Sequence, residues 1–212
     1  MARQLRIPFE GALYHIISRG NERMMIFLDE ADRIKYLNIL HTTTKRFNWL
    51  CHAYCLMGNH YHLVIETPDA NLAKGMKYLN QIYSQFFNWK YHRVGHVLQG
   101  RYKSYIIQRE AYLLHCCRYI VLNPWGAGLV EHPKEWKWSS YSATAGLSKP
   151  TSFLTTDWLL EIFGSDLKKA RNNYVKFVEA DMDGKGSKLE YKYQLFLGSD
   201  EFARLMGVRA GI

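Results

Sequence analysis

The 212-residue chain has no stretch approaching ~18 uninterrupted apolar residues, so no membrane-spanning helix is expected. Its opening, Met1-Ala2-Arg3-Gln4-Leu5-Arg6, lacks the apolar segment of a secretory signal, which leads to the expectation of a cytoplasmic protein. Cysteine is scarce. Cys51, Cys55, Cys116 and Cys117 are too few and too clustered for a disulfide framework. Cys-x-x-Cys spacing is absent, so they read as reduced core residues; a zinc site over the four is the alternative, with Cys51 and Cys55 sharing a strand face. A Gly-rich loop ending in Gly-Lys-Ser/Thr is missing too, which removes the phosphate cradle of a P-loop nucleotide hydrolase. There is no internal repeat and no low-complexity tract.

Acidic residues are under-represented only in the first part of the chain. Residues 1–150 hold 19 Lys and Arg against 10 Asp and Glu, a balance of +9, whereas residues 151–212 hold 9 against 9. The whole positive excess of +9 therefore belongs to the first 150 residues. A basic surface rich in aromatic rings suits a polyanion whose phosphates meet Lys and Arg and whose bases stack on rings; solubility alone is the plainer explanation. The change of balance suggests two parts: a domain over residues 1–149 and a C-terminal helical extension over 150–212.

The apolar pattern gives an element order. Residues 13–19 form a short strand ended by Gly20-Asn21. A helix follows over about 29–46, with Asp29 as N-cap, acids in its first turn and Lys45-Arg46 in its last. Residues 49–57 form a second strand, turned by Gly58-Asn59 into a third. Leu72, Met76, Leu79, Tyr83 and Phe86 recur at helical spacing. Residues 102–108 read as a fourth strand, and 110–123 as a helix stopped by Pro124. Strand, helix, strand, strand, helix, strand is the ferredoxin-like split βαβ order of an α+β fold. It implies an antiparallel sheet with helices on one face and the other face open for a site. Short helices are expected over 156–163, 166–179 and 199–206.

Two histidines mark that open face. In Gly58-Asn59-His60-Tyr61-His62-Leu63-Val64-Ile65-Glu66, side chains alternate with period two, so His60 and His62 point one way and Tyr61, Leu63 and Ile65 the other. Paired neutral imidazoles can bind one divalent metal, but two ligands do not complete a site. In the last core helix, Tyr119 and Asn123 lie four residues apart and project together, offering a phenol beside an amide oxygen. Such an oxygen is a hard ligand suited to Mg²⁺ or Mn²⁺. Arg19, Asn21 and Arg23 after the first strand, and Arg101 and Lys103 at the fourth, are the candidates for DNA contact, with Tyr102 or Tyr105 able to stack on bases. His15, His52 and His115 read as structural.

Four segments together resemble the REP-associated tyrosine transposases of the HUH superfamily of single-strand DNA transposases and endonucleases. They are Tyr14-His15-Ile16-Ile17-Ser18-Arg19-Gly20-Asn21; Met57-Gly58-Asn59-His60-Tyr61-His62; Tyr119-Ile120-Val121-Leu122-Asn123-Pro124 with Ala127-Gly128-Leu129-Val130; and Trp136-Lys137-Trp138-Ser139-Ser140-Tyr141. The resemblance covers roughly residues 8–145. It implies that His60 and His62 are metal ligands, Tyr119 the nucleophile and Asn123 the third ligand. It assigns the residues after Pro150 no role. The implied function is metal-dependent cleavage and transfer of single-stranded or hairpin DNA through a 5′-phosphotyrosine link, by a monomer or homodimer associated with the nucleoid. A domesticated hairpin-binding protein that does not cut is the alternative, and a water-using phosphodiesterase a third class.

Overall fold

In the computed structural model, residues 7–182 and 189–210 are described. Residues 1–6, the segment from which the absence of a secretory signal is expected, lie outside them. The predicted strands form β1 (Ala12–Arg19), β2 (Leu50–Leu56), β3 (His60–Thr67) and β4 (Lys103–Ile107). All their pairings are antiparallel, in the order β2-β3-β1-β4. A two-residue strand, β5 (Phe196–Leu197), adds to β4 in parallel and makes the sheet mixed. Two residues show no alternation, so this strand has no signature in the sequence.

Helices α1 (Glu30–Arg46) and α2 (Leu72–Lys90) cover one face. Their Tyr36, Leu40, Met76, Leu79 and Tyr83 pack on Tyr14, Ile16, Tyr61, Leu63 and Ile65, the apolar alternate residues of β1 and β3. Asp29 caps α1 in a reciprocal box with Asp32. Asp32 is fully buried, and its carboxylate is satisfied: Lys90 Nζ lies 2.7 Å from Oδ1, and Tyr91 Oη and the Leu28 amide donate to Oδ2 at 2.8 and 2.7 Å. This pins the start of α1 to the end of α2 without an unpaired buried charge.

Helix α3 (Arg109–Gly126) corrects two expectations. It lies on the opposite face from α1 and α2, so helices flank both faces of the sheet. Its Leu113, Cys116, Cys117, Ile120 and Val121 form an apolar stripe that buries against Leu13, Ala53, Cys55 and Val64. It also runs through Pro124 to Gly126. Proline φ is compatible with a helix, and so close to the end only one intrahelical donor is lost; the Ala127 amide still reaches Asn123 O at 3.0 Å.

Residues beyond 150 complete this second core. The Thr155 amide donates to Cys51 O at 2.8 Å. Leu159 and Leu160 of a short helix, α5 (Asp157–Glu161), and Ala170, Tyr174 and Val178 of α6 (Leu167–Glu179) are buried with α3. Tyr141 of α4 (Tyr141–Thr144) joins them, and α7 (Asp200–Ala210) follows β5. A register irregularity between Cys51 and Ala53 separates two cysteines that simple alternation would place together: Cys51 lies in the first core and Cys55 in the second. All four cysteines are buried free thiols.

Gly75 of α2 faces the Trp49 indole so closely that a Cβ would stand 2.0 Å from its Cζ2. Alanine gains about 0.5–1 kcal/mol of helix propensity, whereas overpacking costs about 1–3 kcal/mol. Gly75→Ala should therefore lower the unfolding free energy in a denaturant titration, and an unchanged or raised midpoint would contradict this packing.

Candidate nucleic-acid cleavage site

The β2–β3 hairpin fixes the histidine pair. Gly58 and Asn59 form its tip, closed by the Met57 amide on His60 O at 2.9 Å. The tip is anchored to the segment after β1: the amides of Ile26 and Phe27 donate to Gly58 O, and the Gly20 amide to Asn59 O. β3 then sends Tyr61, Leu63 and Ile65 into the first core and turns His60 and His62 to the other face, as the alternation requires. Their rings lie 5.1 Å apart between centroids.

Tyr119 reaches the same face from α3. Its ring centroid lies 6.1 Å from that of His62 and 6.2 Å from that of His15. The phenol and the histidine pair therefore meet within one chain. Asn123 follows one turn later, half-buried, and its Nδ2 donates to Tyr119 O at 2.7 Å. That bond commits the amide nitrogen to the backbone of its own helix.

Hydrogen bonds determine which imidazole nitrogens are available. Asn59 Nδ2 donates to Arg23 O at 3.0 Å, which orients the amide so that Oδ1 faces His60 Nδ1 at 2.6 Å. An amide oxygen only accepts, so the proton sits on Nδ1 and His60 offers its Nε2 lone pair. His62 Nδ1 is occupied by His15 Nε2 at 2.9 Å, so here too Nε2 is the nitrogen left over. His15 in turn meets Tyr191 Oη through Nδ1 at 2.6 Å. Tyr191 stacks on Tyr105, centroids 3.9 Å apart.

Burial sets the protonation states. Desolvation lowers His15 to about 3 and, with the Arg19 charge nearby, His60 to about 4. His62 is pushed well below the usual range by burial, then by His15, His60 and Arg19. All three are neutral at neutral pH. The Tyr119 phenol is raised by burial, with Cys116 adding to the rise and the Asn123 side chain opposing it. It is a weak nucleophile unless a cation or an acceptor favours the phenolate.

The donor types present are those of a divalent-cation site, imidazole nitrogen with amide oxygen. Among the described residues no group of three or more His, Cys, Asp or Glu gathers as a metal cluster. Two imidazoles whose Nε2 atoms are left over share one face, and Asn123 carries an amide oxygen, a hard donor of the kind that suits Mg²⁺ or Mn²⁺.

Beside the histidines opens a cavity of about 430 Å³ lined by Ile17, Ser18, Arg19, Gln99, Arg101, Lys103 and Tyr105. Three of the five cations and amides expected from sequence thus converge. Arg19, Arg101 and Lys103 are exposed, and no carboxylate among the described residues pairs with them. Asn21 and Arg23 sit on a 3₁₀ turn just outside, where Glu22 and Arg23 adopt positive φ of 53° and 61°. Of the two tyrosines expected to stack on bases, Tyr105 faces this cavity while Tyr102 is buried in the first core. Sequence reasoning left out Asn59, His15 and Tyr191. For His15 the signal was its place two residues before Ile17 on a strand now seen to pair with β3; for Tyr191 there was none.

A family model described as "Transposase IS200 like" matches residues 9–123, more than half of the chain. No curated protein matches. Among solved structures, a REP-associated tyrosine transposase bound to a REP hairpin aligns over 74% of this chain and 91% of that one, at 15% identity and a TM-score of 0.61, which establishes a shared fold. A transposase candidate from Deinococcus radiodurans aligns over 51% of this chain and 88% of that one, at 17% identity and a TM-score of 0.40. Among the described residues no helix is long and apolar enough to cross a membrane. The matched region holds β1 through Asn123, and with it both histidines and the helix that carries the tyrosine: the chain belongs to the IS200-like transposase family.

Proposed function

We propose that this protein cleaves and rejoins single-stranded DNA beside a hairpin, with Tyr119 as nucleophile. The observation that carries this reading is the approach of the Tyr119 ring to His62, 6.1 Å between centroids, on the sheet face that also bears His60 and the cationic cavity. The phenolic oxygen attacks the phosphorus of a phosphodiester and the phenolic proton is given up. The P–O3′ bond breaks, and the departing oxygen takes a proton to become a 3′-hydroxyl. The product is a 5′-phosphotyrosine that keeps the energy of the broken bond, so rejoining by a 3′-hydroxyl needs no nucleotide cofactor. Because phenol and histidines meet within one chain, a single copy suffices for cleavage.

His60 and His62 through Nε2, and Asn123 through Oδ1, would hold Mg²⁺ or Mn²⁺. Such a cation supplies Lewis-acid polarisation of the phosphoryl oxygen and favours the phenolate. Arg19, Arg101 and Lys103 neutralise backbone phosphates flanking the cleaved bond, and Tyr105 offers a ring on which a base stacks. Asn21 and Arg23 extend this contact along the turn after β1. In this proposal residues 1–149 form the catalytic part, and residues 150–212 a helical extension that supplies Tyr191 and the edge strand β5. Binding of a REP hairpin by the structurally similar transposase is consistent with a hairpin as the DNA partner here.

Incubation with hairpin oligonucleotides and Mn²⁺ should give a covalent protein–DNA species on a denaturing gel. Tyr119→Phe or chelation should remove it, while Tyr119→Phe leaves hairpin affinity within about threefold, since the lost hydroxyl is uncharged and the cations that meet the flanking phosphates are untouched. Binding without any adduct in the unaltered protein would instead identify a non-cutting hairpin binder. Replacing Arg19, Arg101 and Lys103 together by alanine should weaken single-strand binding and flatten the plot of log affinity against log salt by about 2, at about 0.7 per phosphate contact. An unchanged slope would move the DNA path elsewhere.

The neutral histidines also give a stability profile. Unfolded imidazoles take up protons below about 6.5, whereas folded His60 resists to about 4 and His15 to about 3. In that window the unfolded chain binds more protons, so stability falls as pH drops from 6.5 towards 4. The thermal midpoint should decline over this range, and replacing His15 by glutamine should shallow the decline.

A further inference from the structure

His15 is a fully buried histidine whose two ring nitrogens are both occupied, and it sits behind the histidine pair rather than in it. We propose that His15, itself backed by Tyr191, is a positioning residue that fixes His62 in the tautomer and orientation able to bind a divalent cation. The inference rests on the metal reading above and extends it to residues outside the ligand set.

Three observations carry it. First, His15 Nε2 lies 2.9 Å from His62 Nδ1, so Nδ1 cannot also face a cation and only Nε2 can. An imidazole that ligates through Nε2 carries its proton on Nδ1, and that proton needs an acceptor. His15 Nε2 provides it. Second, a neutral His15 that accepts at Nε2 must carry its own proton on Nδ1, and Tyr191 Oη lies 2.6 Å from that atom. Tyr191 is held in place by stacking on Tyr105. With His62 ligating through Nε2, the chain of donors runs from His62 to His15 to Tyr191. Third, His60 is treated the same way by a different residue: Asn59 Oδ1 takes its Nδ1–H. Both members of the pair thereby have the same nitrogen tied back and the same nitrogen free, although one partner comes from the hairpin tip and the other from β1 and the far C-terminal segment. Core packing alone would give no reason for that correspondence.

The test measures Mn²⁺ affinity by the electron paramagnetic resonance signal of free Mn²⁺, with a His60→Ala/His62→Ala double variant as blank. His15→Phe keeps the ring volume but offers no acceptor, and should weaken Mn²⁺ binding about 10- to 100-fold, the usual effect of losing such a partner. His15→Gln can present an amide oxygen to His62 Nδ1–H and should restore most of the affinity; Tyr191→Phe should cause a smaller loss. Hairpin binding without cation should stay at the unaltered level in all three. Independently of any variant, ¹⁵N spectra of the histidines with Mg²⁺ bound should show His62 protonated on Nδ1. Unaltered Mn²⁺ affinity in His15→Phe, with both proteins above the blank, overturns the role of His15 alone. A proton on His62 Nε2 in the Mg²⁺-bound protein overturns it as well. If the natural protein binds Mn²⁺ no better than the blank, the metal reading fails and this inference falls with it.

Discussion

The arrangement of the site depends on the antiparallel pairing of β1 with β3 in one register, with Arg19 opposite His60 and Ile17 opposite His62. Because strand side chains alternate, this register sorts both strands at once: Tyr14, Ile16, Tyr61, Leu63 and Ile65 go to one core, and His15, His60 and His62 to the other face. A slip of β3 by one residue would bury His60 and His62 under α1 and α2 and turn Tyr61, Leu63 and Ile65 outward. At about 1.5–3 kcal/mol for each large side chain left unburied, that alternative is far out of reach of thermal fluctuation. The hydrophobic core and the chemistry are thus consequences of one registration. Arg19 is carried along with it, which explains why a guanidinium stands beside the histidines and, after burial itself, lowers their proton affinity.

The second face is divided between packing and chemistry. Over β2 and the middle of β3, α3 presents Leu113, Cys116, Cys117, Ile120 and Val121 and makes a dry core. Towards the ends of β1 and β4 the cover is incomplete, and the gap is the cavity with Arg19, Arg101 and Lys103. Tyr119 sits at the boundary between the two regimes. Its neighbours Cys116 and Ile120 are buried, while the ring itself reaches the histidines. Anchoring a phenol on a well-packed helix restricts its rotamers and holds it beside His62.

Much of this was legible in the sequence, for local reasons. Period-two alternation around His60 and His62 gave β3 and its faces, helical spacing from Leu72 to Phe86 gave α2, and Asp29 with its following acids gave the start of α1. The charge excess in residues 1–150 pointed to a polyanion, and Arg19, Arg101 and Lys103 do converge. What was illegible depended on contacts distant in the chain. The side of the sheet on which α3 lies is decided by Leu13, Ala53 and Val64, on strands well before it. Pro124 looked like a stop because residue type was weighed without its place in the last turn. The split of Cys51 from Cys55 follows from a bulge that no alternation pattern announces. His15 looked like a satisfied core histidine because its partners, His62 and Tyr191, lie 47 and 176 residues away.

The parallel addition of Phe196 and Leu197 to β4 carries a consequence for the order in which the protein can mature. β4 is otherwise the rim of the sheet, and its outer backbone groups find partners only when residues 195–197 return: the Ile106 amide donates to Leu195 O and the Gln108 amide to Leu197 O, both at 2.8 Å. A nascent polypeptide emerging from the ribosome would have Tyr119, its histidine pair and most of its cations in hand while that rim is still open and Tyr191 is still untranslated. Completion of the sheet and of the support behind the histidines therefore waits for residues 191–197 to be made and to fold back.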